Sequence, residues 1–173
     1  MSTYQTRGVD DGRGAGAGGS VAGGDEARGV EAKAAFARLK TLAGSWETRG
    51  EGHGHSGKID YKVTGNGSVV METFFPGTDH EMISMYHLDG DELRLTHYCA
   101  ARNQPRIKLD RAKSTPDLLI FAFDGGTNFD PAKDIHIHGG QIAFKGPGKV
   151  EAVWDAYAGG KKAMSSTFAM SKP

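Results

Sequence analysis

The stretch Leu95-Thr96-His97-Tyr98-Cys99-Ala100 places the chain's only cysteine two residues after a histidine. In an extended strand, residues two apart share a face. An imidazole and a thiol on one face can ligate a metal, or serve as base and nucleophile. Side chains at that spacing run parallel and do not aim at each other. The geometry therefore favours an inert buried thiol over a catalytic Cys–His pair. Glu72 and Glu81 sit on runs that read as neighbouring strands. A carboxylate taken out of water must be paired, protonated or ligating.

The turns set an expected register for these residues. A three-residue loop at Leu88-Asp89-Gly90 places Met85 opposite Leu93, Ile83 opposite Leu95 and Glu81 opposite His97. A four-residue loop at Pro76–Asp79 places Val70 opposite Met85, Glu72 opposite Ile83 and Phe74 opposite Glu81. One face then reads Val70, Glu72, Phe74, Glu81, Ile83, Met85, Leu93, Leu95, His97 and Cys99. The opposite face of the last run, Glu92, Arg94, Thr96 and Tyr98, is the more polar one, so the first set is expected inside. A slip of one residue would exchange the faces of a whole strand. Glu72, Glu81, His97 and Cys99 become a polar cluster on an apolar wall. Three readings are open: a satisfied internal network, groups that contact a small ligand, or a metal or catalytic centre. Arg106, after the strand-starting Pro105, could meet an anionic group at a site mouth. Trp154 is expected on the wall, as core packing or as a ligand contact.

Other constellations carry less. Asp134-Ile135-His136-Ile137-His138 resembles a metal site, since alternate histidines share a face. A hairpin at Gly139-Gly140 would turn Ile135 and Ile137 inward and leave Asp134, His136 and His138 on the surface. His53-Gly54-His55 reads as loop. Gly50-x-Gly52-x-Gly54 lacks the strand-to-helix turn of a dinucleotide site. The chain has no Gly-x-Ser-x-Gly nucleophile elbow.

These residues need a scaffold, and the periodicity supplies one. Val30 to Leu42 has apolar residues at helical spacing, with Gly44 as a stop. After it, eleven short β-like runs lie between 45 and 170, separated by Gly, Pro, Asn and Asp turns. A meander of about ten strands removes its exposed edges by closing into a barrel. The segment from Asp124 to Lys133 reads as an irregular loop, placed at the barrel mouth. Nine of the 26 glycines fall in the first 30 residues. Residues 1–29 are accordingly read as a disordered tail, and 30–173 as the folded domain.

Composition narrows the function. The chain has 21 basic and 21 acidic residues, which gives no electrostatic case for nucleic acid. No run reaches the length of an apolar membrane span, and no secretory h-region is present. A single cysteine forms no internal disulfide, so a cytoplasmic location is expected.

Gly44-Ser45-Trp46, directly after the helix, resembles the Gly-x-Trp signature of lipocalin-like (calycin-type) barrels. There a short helix precedes the first strand and the tryptophan helps close the floor. The blocks FARLKTLAGSWE, GSVVMETFFPGTDHEMISMYHLDGDELRLTHYCAARNQPR and DGGTNFDPAKDIHIH look like an uncharacterised family of small lipocalin-like barrels. GSWETRGEGHG has a weaker similarity to the haem-binding nitrobindin barrels. The resemblance implies an all-β, roughly ten-stranded antiparallel meander barrel with one short N-terminal helix. It implies no activity or cofactor. The expected function is non-enzymatic binding of a small, partly apolar molecule inside the barrel, oriented by Glu72, Glu81, His97, Cys99, Arg106 and Trp154. The alternatives are a metal- or haem-dependent barrel, possibly catalytic, using His97 and Cys99, and a packed interaction domain without a cavity.

Overall fold

A computed structural model describes residues 29–52 and 56–173. The Gly-rich tail through residue 28 and His53-Gly54-His55 lie outside the described residues, and so do the expectations attached to them. Helix α1 (Ala32–Lys40) is followed by ten strands. These are β1 (Gly44–Gly52), β2 (Gly57–Thr64), β3 (Val69–Phe74), β4 (Met82–Asp89), β5 (Glu92–Tyr98), β6 (Gln104–Leu109), β7 (Leu118–Thr127), β8 (His136–Gly146), β9 (Lys149–Ala158) and β10 (Lys161–Ser171). Each pairs antiparallel with the next, and β10 pairs back onto β1, so the sheet is a closed barrel. Closure leaves no unpaired edge.

The two ends differ. At one end α1 plugs the opening with Ala32, Ala35, Phe36 and Leu39 buried. Trp46 lies 3% exposed beside it. Its indole N–H donates to the Leu42 carbonyl at 2.7 Å, which ties the chain leaving the helix to the start of β1. Gly44 makes that corner at φ +121°, a left-handed value that disfavours other residues. The expectation of a floor built on Gly44-Ser45-Trp46 holds. At the opposite end lie the connections 75–81, 99–103 and 128–135, and this end is the mouth.

Two elements depart from expectation. The β4–β5 hairpin turns through Gly90-Asp91, with Asp89 opposite Glu92. Gly90, at φ +58°, is the first residue of a two-residue loop. The register slips by three from the three-residue expectation, an odd number that exchanges the faces of β4: Ser84 lies opposite His97, Tyr86 opposite Leu95 and Leu88 opposite Leu93. Ser84 and Tyr86 are buried, while Ile83 and Met85 are not. The connection from β3 to β4 is also longer than four residues, with Phe74 opposite Met82.

Gly139-Gly140 is not a turn. It lies within β8, next to a bulge between Ile137 and Gly139. Gly140 pairs with Trp154 across to β9. A Cβ at Gly140 would stand 2.5 Å from the Trp154 ring and 2.3 Å from the Val153 carbonyl oxygen. The glycine is there so that the indole can lie flat against the strand.

The floor generates a stability prediction. Trp46→Ala removes a buried indole and one hydrogen bond, and should cost about 3–5 kcal/mol in denaturant unfolding. A loss below about 1 kcal/mol would show that the floor does not depend on this side chain.

Candidate functional site

Inside the barrel, Glu72 is fully buried at 0% exposure. It stands on β3 between two tyrosines. The Tyr61 hydroxyl, from β2, donates to Oε1 at 2.5 Å, and the Tyr86 hydroxyl, from β4, donates to Oε2 at 2.7 Å. Burial pushes the carboxyl up to about 7, although hydrogen bonds from Tyr61, Tyr86 and Ser84 each pull it down. Burial, and then the nearby Glu72 charge, raise both tyrosines well above their ordinary value.

Ser84 lies directly across from Glu72 on one side and from His97 on the other. The three residues form a row across β3, β4 and β5. His97 Nδ1 is 3.0 Å from the Ser84 hydroxyl oxygen. When Ser84 donates to Glu72, its oxygen accepts from Nδ1–H, so the lone pair of His97 sits on Nε2. Nε2 is not among the buried, unpartnered polar atoms of the described residues. Burial pushes His97 down to about 4, so the ring is neutral near pH 7. Phe74 stands edge-on to it, with ring centroids 6.0 Å apart.

His97 borders a cavity of about 70 Å³ in the mouth half of the barrel. Phe74, Met82, Leu95, Ile107, Ile137, Trp154 and Phe168 supply an apolar wall, and Ser84 and Ser166 the other polar edges. Trp154 Nε1–H is buried without a partner. His97 and Trp154, a ring nitrogen and an indole N–H between them, thus border the same small cavity. Such a space has room for a few waters or a molecule of a few heavy atoms, well below the roughly 300 Å³ of an ordinary ligand pocket.

Of the residues expected to act together, Glu72, His97 and Trp154 are on the inner wall as anticipated. Glu81 is not: it is exposed, lies before β4, and accepts from the Gly77 backbone N–H. The slipped register gives its place opposite His97 to Ser84. Arg106 is exposed on the outer face of β6, because Pro105 and Ile107 take the inner positions. Cys99 lies past the end of β5, half-buried in a turn that its N–H closes onto the Asn103 carbonyl at 3.1 Å. Burial raises its thiol, which keeps it protonated. Tyr98 is half-exposed and faces outward, as expected. Ser84, Tyr61, Tyr86 and Ser166 were missed. The signal for Ser84 and Tyr86 was Gly90-Asp91 read as a two-residue loop.

The Asp134–His138 segment needs a further correction. Ile137 lines the interior cavity as expected, but Ile135 is 43% exposed and His136, expected at the surface, is 1% exposed. The hairpin at Gly139-Gly140 on which that expectation rested does not form, and His136 packs beneath Phe129 and Phe123. Its Nδ1 donates to the Asp134 carbonyl at 2.9 Å, and its Nε2 accepts from His138 Nδ1 at 3.0 Å. His138 is stacked between Phe123 and Tyr157. With their facing nitrogens used on each other, the two imidazoles do not converge on one metal. Among the described residues no group of three or more His, Cys, Asp or Glu side chains is arranged to hold a metal ion.

No family model, no curated protein and no solved structure matches this chain. The closed ten-stranded barrel therefore stands on its own geometry. Haem does not fit it: a cavity of about 70 Å³, closed by Phe74, Trp154 and Phe168, is too small for a porphyrin. No helix among the described residues is long and apolar enough to cross a membrane.

The buried pair makes opposing contributions to stability with pH. From about pH 4.5 to 7 the folded chain holds a proton at Glu72 that the unfolded chain has released, so this contribution falls as pH rises. From about pH 6.5 down to 4 the unfolded chain gains a proton at His97 that the folded chain refuses, so this contribution falls as pH drops. In the shared window they offset each other. Glu72→Gln removes only the first. Its stability relative to wild type should rise by about 3 kcal/mol between pH 4.5 and 7.5 in paired urea titrations. A difference that does not change with pH would mean that Glu72 titrates as an ordinary solvated carboxyl.

Proposed function

We propose that this barrel binds a small molecule with one protic group and an apolar body in its mouth-side cavity. The observation that carries the reading is the neutral ring of His97, 6% exposed at the edge of an apolar cavity with its Nδ1 engaged by Ser84. Its other nitrogen, Nε2, would accept from a ligand hydroxyl or thiol. Trp154 lines the same cavity, and its buried Nε1–H, left without a partner at a cost, suits an acceptor on the ligand. The free thiol of Cys99 fits a reducing, cytoplasmic setting.

The cavity's size bounds both ligand and affinity. Even the best tiny ligands gain at most about 1.5 kcal/mol per heavy atom, so about three heavy atoms give a Kd on the order of a millimolar. Larger ligands would have to move Met82 or Phe74 at the mouth.

Met82 lines the cavity and provides the probe. Added ethanethiol should shift the Met82 methyl resonance of labelled protein and saturate in the millimolar range. Ser166→Leu, which puts a larger side chain into the same cavity, should abolish the shift while the barrel stays folded. A Met82 methyl indifferent to ethanethiol, or a response that survives Ser166→Leu, would count against interior binding.

A further inference from the structure

We propose that Glu72, Ser84 and His97 form a proton relay through which the cavity takes up a small weak acid and holds it as the anion. The inference rests on interior binding and narrows its ligand to one chemical class: acids H–X of a few heavy atoms, such as short thiols, hydrogen sulfide or hydrazoic acid.

The three residues are consecutive partners in one cross-strand row, Glu72 opposite Ser84 and Ser84 opposite His97. Neighbouring strands stand about 4.8 Å apart, a spacing that short side chains bridge by hydrogen bonds. The outer end of the row is His97 Nε2 at the cavity. The inner end is a carboxyl clamped by Tyr61 and Tyr86 at 2.5 and 2.7 Å. The row therefore connects a base that a ligand can reach to an acid that it cannot.

The transfer balances as follows. The X–H bond breaks and a proton joins His97 Nε2. The Nδ1 proton leaves for the Ser84 oxygen, and the original Ser84 hydroxyl proton joins a Glu72 oxygen. His97 ends neutral in its other tautomer, Ser84 is unchanged in composition, Glu72 is neutral, and X carries the charge that Glu72 held. No oxidant or reductant takes part. The anion faces the new Nε2–H, and Trp154, which lines the same cavity and whose Nε1–H is unpartnered, offers a second donor for it. Without the relay, His97 would have to become an imidazolium against an apolar wall, which burial opposes.

No lysine or arginine competes for this role. The groups facing Glu72 are Tyr61 from β2 and Ser84 and Tyr86 from β4, and burial and these hydrogen bonds account for its shift. His97 is faced by Ser84 and by Phe74, with Trp154 across the cavity, and burial alone accounts for its shift.

Sodium azide is the probe, because its infrared stretch separates bound from free anion. With Glu72 ionised, each bound azide must bring a proton. Above about pH 8 the affinity of the wild type should fall about tenfold per pH unit, with one proton taken up per azide. Glu72→Gln, whose amide stands in for the neutral carboxyl, should bind with an affinity that no longer depends on pH. His97→Leu should not bind. Ser84→Ala, which breaks the row at its centre while leaving Glu72 on its tyrosines, should lose the proton uptake. A pH-independent wild-type affinity, or a pH dependence retained in either Glu72→Gln or Ser84→Ala, overturns the relay. Absence of azide binding up to about 50 mM, well above the millimolar range set by ligand size, also overturns it. If ethanethiol still shifts Met82 in that case, interior binding survives alone; if it does not, both readings fall together.

Discussion

The interior is organised around one constraint: a carboxyl group with no access to water. Glu72 needs its hydrogen bonds, since a buried acceptor without partners loses its hydration for nothing. Those bonds come from Tyr61 on β2 and Tyr86 on β4, the strands on either side of β3. A one-residue slip of β2 or β4 would turn a tyrosine to the outside and strand the carboxyl. An apolar barrel wall of interchangeable Leu, Ile and Val has no comparable penalty for slipping. The polar network thus contributes register to three adjacent strands, whatever its net contribution to stability.

The second organising feature is the inequality of the two ends. Helix α1, Trp46 and the residues around them fill the floor end with packed apolar side chains. The interior cavity lies towards the mouth, where Phe74, Met82 and Ile137 sit near strand ends. The Glu72 network ends on His97, at the border between the packed and the open half. On the outside, Arg94 of β5 pairs with Asp89, Glu92 and Asp124, and Lys108 pairs with Glu92 and Asp124. These charges stay at the solvent face, so the interior chemistry is left to neutral donors and one titrating carboxyl.

Much of this was legible in the sequence. Period-two alternation located the strands apart from β8, which it split in two, and Gly44-Ser45-Trp46 located the floor, because burial and turn chemistry act locally. The inner faces of β3 and β5 were readable from Val70-x-Glu72-x-Phe74 and Leu93-x-Leu95-x-His97. The face of β4 was not. Met82-Ile83-Ser84-Met85-Tyr86 offers apolar residues on both sides, so pattern alone does not choose, and the choice fell to the hairpin. Asp89-Gly90-Asp91 contains both Asp-Gly and Gly-Asp, and the backbone takes the second, with Gly90 at positive φ. That single decision exchanged Glu81 for Ser84 as the partner of His97. Gly139-Gly140 misled for a different reason. Glycine serves both turns and close approaches, and the Trp154 ring, distant in sequence from Gly140 but adjacent across the sheet, shows which applies.

Charge and size together decide what such an interior can hold. A cavity of about 70 Å³ gives a ligand little apolar surface to bury, and area alone would yield weak binding. Adding an anion to an apolar barrel would ordinarily be prohibitive. Here the barrel already contains a carboxyl close to its midpoint at neutral pH. Proton movement along the Glu72–Ser84–His97 row would leave the number of buried charges unchanged and shift one negative charge from Glu72 to the ligand. The cost of burying a charge is then met on folding, not on binding. The same carboxyl that fixes the strands in register would thereby determine which small acids the cavity accepts.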